Sequence, residues 1–179
     1  LLTYTVNRGN VDLLPALAGY EVDSGFERYL DALHEIHGRE RWGVVRNRED
    51  ERLVLAKEPA EIFVAMRNAR VVAYAYYRTD SRILMEHGGP AEVVAGLVRE
   101  VFHRVDAETA GISTSTRDSS FTPLLQAEIY LEANPLQPKL TALLDRLAFP
   151  VERSAWNMLY LVDPVGLIGK LGPDDLQVE

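Results

Sequence analysis

The chain has 179 residues, of which 47% are hydrophobic and 26% are charged, and this composition is typical of one globular domain rather than a disordered segment. The sequence contains no cysteine, which excludes a disulfide framework, a cysteine nucleophile and a thiolate zinc site. The net charge of −8 at pH 7 opposes electrostatic binding to phosphate or anionic lipid, so neither a nucleic acid nor a membrane is expected as a partner.

The first predicted elements are a strand and a helix. Residues 1–8 alternate apolar and polar side chains, which predicts a strand with one buried face. Asp23 and Ser24 are then predicted to cap a helix, because apolar residues recur at helical spacing over 26–36. Gly38 is predicted to end that helix.

A second helix and a β-hairpin are predicted next. Asn47 is suited to cap a short helix that ends near Leu55, in which the charged residues 48–51 are expected to face water. Residues 61–66 and 70–78 are strand-like in composition and are joined by a short turn, which predicts a hairpin. The second of these strands is largely apolar on both faces, so it is expected in the middle of a sheet.

The second half of the chain is predicted to alternate strands and helices. Residues 82–86 form a predicted strand that leads into a helix beginning at Pro90, and a short strand is predicted over 112–116. Pro138 is predicted to begin a late helix, and the last strand is expected over 151–162. This order of elements is typical of an α/β fold in which an antiparallel meander leads into a helical crossover.

Several segments resemble a known family at residue level, among them residues 83–105, which are similar to a strand and the main helix of that family. Residues 61–77 are similar to the central hairpin of the GNAT superfamily of acyl-CoA N-acyltransferases, with Ala73 in place of the usual glycine before Tyr74. Residues 140–152 are similar to the late helix of that family, which ends in Gly-Phe before the final strand, and here Ala148 replaces the glycine.

The resemblance implies a fold and a domain organisation. The implied fold is α/β and GNAT-like, a mixed sheet with an antiparallel meander flanked by helices, over residues 1–163. Residues 164–179 are expected to be a C-terminal tail or the start of a linker to a further domain. The chain begins with Leu1 rather than Met, which suggests a segment of a longer protein. The implied partners are a second GNAT domain or another copy in a homodimer.

The loop that holds the coenzyme in that family differs in this chain. Active members have a Gly-rich turn reading [RQ]-x-x-G-x-[GA], whose backbone N–H groups bind pyrophosphate at a helix N-terminus. This chain has Glu86–Glu92 there, in which Pro90 removes one N–H donor and the last glutamate adds negative charge. Gly88 and Gly89 remain the candidate residues for binding acetyl-CoA, and the alternative is that they only form the turn.

Three residues are candidate catalytic groups. Glu86 and His87 lie where a strand meets a helix N-terminus, and either can serve as general base for an amine nucleophile. The alternative is that both are polar loop residues. Tyr74 is a candidate proton donor to a leaving thiolate, and the alternative is a core aromatic residue. The hydroxyl-rich segment 113–120 lacks the G-x-S-x-G pattern of a serine hydrolase.

Two local patterns are not expected to form sites. His34 and His37 are three residues apart, a spacing compatible with metal ligation, but no H-E-x-x-H pattern accompanies them. They are therefore expected to be half-exposed helix residues, and no metal site is expected. The basic residues within 39–48 are expected to form a solvated face.

Two functions from different classes remain open. The first is N-acyl transfer from acetyl-CoA to a small-molecule or peptide amine, with a degenerate pyrophosphate loop. The second is a non-catalytic GNAT-fold module that supplies an interface or part of a substrate cleft. A catalytic domain should have a gap between its two central strands, whereas a module should fill that gap with side chains such as Tyr74 or Leu84. A cytoplasmic location is the simplest expectation for a sequence without an export signal.

Overall fold

The computed structural model describes residues 1–40, 46–56, 59–115, 127–135 and 137–153. The strands in these ranges are β1 (Leu2–Asn7), β2 (Glu21–Ser24), β3 (Ala60–Arg67), β4 (Arg70–Arg78), β5 (Ile83–Gly88), β6 (Glu128–Ala133) and β7 (Val151–Arg153). The α-helices are α1 (Leu30–Arg39), α2 (Arg48–Leu55), α3 (Ala91–Ser115) and α4 (Pro138–Arg146). Across these ranges, no helix combines the length and the apolar character needed to cross a membrane.

The strands form one mixed sheet in the order β2-β3-β4-β5-β6-β1-β7. Every neighbouring pair is antiparallel except β5 and β6, which are parallel. Helices α1 and α2 pack on one face of the sheet, and α3 and α4 pack on the other. The predicted α/β class with an antiparallel meander and flanking helices is therefore confirmed.

Each face of the sheet has its own apolar core. The larger core lies under α3 and α4, and its fully buried members include Val6, Leu84, Leu97, Phe102, Ile129 and Leu131. The smaller core lies under α1 and α2, and its members include Leu30, Leu33, Ile36, Leu55, Ile62 and Val64. Strand β4 contributes alternate residues to both cores, which is why both of its faces are apolar.

The predicted hairpin is confirmed as β3 and β4. Its turn residues Asn68 and Ala69 have φ values of 52° and 59°. Both therefore lie in the left-handed region that a two-residue type I′ turn requires. Strand β4 lies between β3 and β5, in the interior position that its composition predicts.

The strand predicted over 112–116 is wrong over 112–115, and residue 116 lies outside the described ranges. Helix α3 continues to Ser115, because each residue added to an existing helix gains a backbone hydrogen bond that outweighs the β propensity of threonine. Among the described residues, the next strand after α3 is β6, where Ile129, Leu131 and Ala133 alternate with less buried residues. Of the last predicted strand, the structure has β7 over 151–153, and residues 154–162 lie outside the described ranges.

The predicted start of the first helix is also wrong, whereas the start of the second is confirmed. Asp23 and Ser24 belong to β2, which pairs with β3, and α1 begins only at Leu30 after a 3-10 turn. Sheet pairing of these residues competes successfully with capping. Asn47 caps α2 as predicted, since its Oδ1 accepts a hydrogen bond of 2.9 Å from the Asp50 N–H.

The end of α4 offers a stability test. Ala148 has φ of 56° and follows the helix in a Schellman motif, in which its N–H donates to the Asp145 carbonyl and the Phe149 N–H donates to the Leu144 carbonyl. Because a left-handed alanine is strained, Ala148→Gly is expected to raise the free energy of unfolding by about 1 kcal/mol. Urea denaturation measures this change.

The matched control is Ala142→Gly, in the exposed interior of the same helix. There glycine is expected to lower the free energy of unfolding by about 0.5–1 kcal/mol. Equal effects of the two substitutions would contradict the left-handed geometry at Ala148.

Candidate functional site

A β-bulge in β5 determines on which face of the sheet each of the last side chains of that strand lies. Tyr77 pairs with Leu84 and Tyr76 pairs with Glu86, so Met85 is an extra residue without a cross-strand partner in β4. Because paired residues share a face, Leu84 and Glu86 lie on opposite faces of the sheet although they are two positions apart. Glu86 therefore faces α1 and α2.

Glu86 and the three side chains around it, Tyr74, Arg46 and His37, are joined on this face, and we call these four residues the polar cluster. The Tyr74 hydroxyl donates to Glu86 Oε1 at 3.0 Å, and an Arg46 guanidinium nitrogen donates to Glu86 Oε2 at 2.8 Å. His37 Nδ1 lies 3.2 Å from the Tyr74 hydroxyl and 3.5 Å from Glu86 Oε1. Burial and the Glu86 charge raise the pKa of Tyr74 well above its usual range, so its phenol stays protonated.

Helix α2 adds a buried carboxylate next to the polar cluster. Glu51 is fully buried, and its Oε2 lies 2.9 Å from His34 Nδ1. The expectation that residues 48–51 all face water is therefore wrong at Glu51. The reason is helical spacing, because Glu51 lies one turn before the buried Leu55 and so shares its inward face.

A cleft of about 730 Å³ lies at the end of the sheet where β5 and β6 stop pairing, between the end of α1 and the beginnings of α3 and α4. These parallel strands are matched at only two positions, Ile83 with Tyr130 and Leu84 with Leu131, although each strand has six residues. The cleft occupies the space beyond these pairs, and its lining includes residues at the beginnings of α3 and α4. Clefts beyond the carboxyl ends of parallel strands are common ligand sites.

His87 lies in the wall of this cleft, on the opposite face of β5 from Glu86. Its Nε2 lies 3.1 Å from the Glu132 carbonyl oxygen, which can only accept a hydrogen bond. The neutral ring therefore carries its proton on Nε2 and has its lone pair on Nδ1. Burial lowers the pKa of His87 below its ordinary value, so the ring is neutral at pH 7.

The two glycines after His87 are held in close contacts. A Cβ atom on Gly88 would lie 2.7 Å from the Tyr74 ring and 2.8 Å from Ile36. Glycine at this position therefore lets β5 pack closely against Ile36 of α1. Gly89 has φ of 113°, and its N–H donates to Glu40 Oε1 at 3.0 Å. The Glu40 carboxylate therefore already accepts the hydrogen bond of the Gly89 N–H, just before the beginning of α3.

The structure joins some of the candidate residues and separates others. Tyr74 and Glu86 are hydrogen-bonded, whereas His87 lies across the sheet from both. Sequence reasoning missed Glu51 and Arg46, both of which were assigned to solvated faces. The burial of Glu51 could have been found from its helical spacing, but Arg46 has no comparable signal, because its side chain is withdrawn from solvent only in part, by a tertiary contact with Glu86.

His37 was also placed incorrectly by the sequence. It was expected to be half-exposed, but it is buried in the polar cluster, where Tyr74 and Glu86 satisfy its Nδ1 side. Its position four residues after Leu33 on α1 already indicates the inward face.

Comparisons with known proteins report a similar fold. No protein-family model matches the sequence, and no curated protein matches it. Among solved structures, the chain is similar to a functionally unknown conserved protein from Staphylococcus epidermidis, with a TM-score of 0.52 and 8% sequence identity. The similarity covers 84% of this chain and 57% of the other, so the chain spans little more than half of that protein's length. At this identity the likeness shows a shared α/β fold alone.

Proposed function

We propose that this domain is a GNAT-like N-acyltransferase, which transfers an acyl group from acetyl-CoA to the amine of a small molecule or peptide. The observation that carries the proposal is the cleft beyond two diverging parallel strands, with the buried, neutral His87 in its wall. Tyr74 and Leu84, the side chains expected to fill such a gap in a non-catalytic module, do not belong to the lining of this cleft. Tyr74 lies in the polar cluster, and Leu84 packs in the larger core.

His87 is the residue assigned to proton transfer. Acetyl-CoA supplies an acyl group activated as a thioester, so the reaction forms a C–N bond, breaks the C–S bond and moves the amine proton to the leaving thiolate or to solvent. His87 Nδ1 takes that proton, because the Glu132 carbonyl keeps the other ring nitrogen as a donor. Glu86 and Tyr74 lie on the opposite face and are assigned no role in the cleft.

Positive groups line the part of the cleft that would meet the coenzyme phosphates. Arg39 and Lys139 belong to its lining, and the N-termini of α3 and α4 both begin there. Helix N-termini carry partial positive charge and unpaired N–H groups, which favour anions. These features support Gly89 as a neighbour of the phosphates rather than their main donor, since Glu40 holds its N–H.

The same contact favours the second candidate function. In a non-catalytic GNAT-fold module, the Glu40 carboxylate would permanently replace the coenzyme anion at the Gly89 N–H. Such a module would supply an interface to a second GNAT domain or to another copy of the chain. The two candidates differ in one measurable property, which is binding of acetyl-CoA.

The test combines binding with turnover. Acetyl-CoA at 100 times its dissociation constant is expected to stabilise the domain by about 2.7 kcal/mol, visible as a rise of several degrees in Tm. Free thiol is then measured during incubation with a panel of primary amines. Because the chain has no cysteine, every thiol detected comes from the coenzyme.

Glu40→Gln is expected to tighten acetyl-CoA binding a few-fold, on the order of 1 kcal/mol. Glutamine keeps an oxygen that accepts the Gly89 N–H but removes a negative charge from the cleft. Calorimetric titration measures the change, with Glu49→Gln as the control, since Glu49 is exposed on α2 across the sheet. If neither wild type nor Glu40→Gln binds acetyl-CoA or releases thiol, acyl transfer is rejected, and the non-catalytic module remains as the candidate function.

A further inference from the structure

Three side chains from separate elements converge beside the polar cluster. His37 from α1, Glu51 from α2 and Glu86 from β5 each place one nitrogen or oxygen atom within 4.8 Å of the others. His37 and Glu51 are buried, and Glu86 is partly buried. Nothing in the chemistry proposed for the cleft uses these groups, because they lie on the opposite face of the sheet.

A separate observation concerns one oxygen of the Glu51 carboxylate. Glu51 is fully buried, and its Oε1 has no hydrogen-bond partner among the residues that the structure describes. Its other oxygen faces His34 at 2.9 Å. A buried carboxylate oxygen without a donor is costly, and a bound cation would offset that cost.

The local charge favours a cation. Glu51 and Glu86 bring two carboxylates, and among the described residues Arg46 pairs with one of them, at Glu86 Oε2. The Arg46 contact leaves Glu86 Oε1 directed toward His37 and Tyr74. A divalent ion at this point would meet Glu86 Oε1, a Glu51 oxygen and His37 Nδ1.

We infer that His37, Glu51 and Glu86 form a binding site for a divalent transition-metal ion, with Zn²⁺ as the best matched probe. One imidazole nitrogen and two carboxylate oxygens are ordinary zinc ligands, and three protein donors leave a further position for water. Zinc bonds of about 2.0–2.2 Å separate donors in a tetrahedral shell by about 3.4 Å. His37 Nδ1 and Glu86 Oε1 are already 3.5 Å apart.

Neighbouring groups complete an outer shell. His34 contacts Glu51, and Arg46 and Tyr74 contact Glu86, so both ligating carboxylates are held in orientation. Such second contacts fix ligand geometry in known metal sites. The ion would tie α1 and α2 to the end of β5.

Calorimetric titration of the tag-free chain with ZnCl₂ tests the inference. Wild type is expected to bind one ion per chain, with an accompanying rise in Tm. Glu51→Gln preserves shape and the His34 contact but removes the charge, and it is expected to weaken binding at least about 100-fold, since loss of even an outer-shell partner costs about 10- to 100-fold. Glu86→Gln is the second variant, with the same expectation.

The control is Glu49→Gln, which removes the same charge from an exposed position of α2 and is expected to bind like wild type. Far-ultraviolet circular dichroism verifies that each variant is folded. The visible absorption of bound Co²⁺ gives an independent readout of the ligand shell. Absence of stoichiometric binding to wild type, or equal binding by Glu51→Gln and Glu49→Gln, would overturn the inference whatever the outcome of the acetyl-CoA test.

Discussion

Replacement of His87 with glutamine is expected to lower kcat for amine acylation by about 100-fold or more, the usual contribution of a general base. Glutamine can still donate a hydrogen bond to the Glu132 carbonyl, so the wall of the cleft is preserved while the basic nitrogen is lost. The measurement is the rate of thiol release at saturating acetyl-CoA. KM for acetyl-CoA is expected to change little, because His87 is assigned to proton transfer.

The pH profile gives the same assignment a second readout. Burial lowers the pKa of His87 in the folded protein, so the neutral, active form persists below the ordinary histidine pKa of about 6.5. Activity should rise with pH through the lowered pKa, and the acidic limb of the profile should lie below pH 6.5. That limb should be absent from His87→Gln.

His103→Gln is the matched control for this prediction. It makes the same substitution at an exposed histidine of α3, outside the cleft lining. Its kcat is expected to equal that of wild type. If the two variants have the same kcat, His87 does not carry the proton.

Gly89→Ala is expected to lower the free energy of unfolding by about 3 kcal/mol or more. A Cβ atom at this position would lie 2.6 Å from the Val72 carbonyl oxygen and 2.7 Å from the Ala73 Cβ. These are atoms of an interior strand and cannot move aside as a flexible side chain would. Backbone strain at φ of 113° contributes about 1–3 kcal/mol, and the steric overlap adds a similar amount.

Equilibrium denaturation by guanidinium chloride measures this loss. Gly38→Ala is the control, because a Cβ there meets nothing within 4 Å and the residue is helical. Alanine at position 38 is expected to raise the free energy of unfolding by about 0.5–1 kcal/mol. A Gly89→Ala protein within about 1 kcal/mol of wild type would show that the turn before α3 relaxes.

The elements that the sequence predicted correctly are those with a strong local period or turn signal. Strand β4 is apolar on both faces and lies inside the sheet, and Asn47 caps α2 with its own side chain. Strand β6 was missed, although Ile129, Leu131 and Ala133 alternate clearly, because it is short and its pairing partners β1 and β5 are distant in sequence. Non-local pairing of this kind leaves little trace in a short segment.

The candidate sites were less predictable than the fold. The junction of β5 and α3 was identified from sequence, yet nothing local shows that Glu86 and His87 serve different faces of the sheet. That separation depends on alternation along β5, and the choice of face depends on the bulge at Met85. Glu40 meets Gly89 across 49 positions of sequence, and only the folded chain brings them together.

The bulge in β5 has a consequence for how relatives of this chain vary in length. Met85 has no cross-strand partner in β4 and is largely exposed, so its deletion would leave Leu84 and Glu86 as consecutive residues of a regular strand. Their faces would be unchanged, because Tyr77 and Tyr76 are consecutive too. Homologues can therefore lose this residue and keep both sides of the strand, whereas an insertion between Glu86 and His87 would turn one of them away from its surroundings. Alignments should place a one-residue gap at position 85.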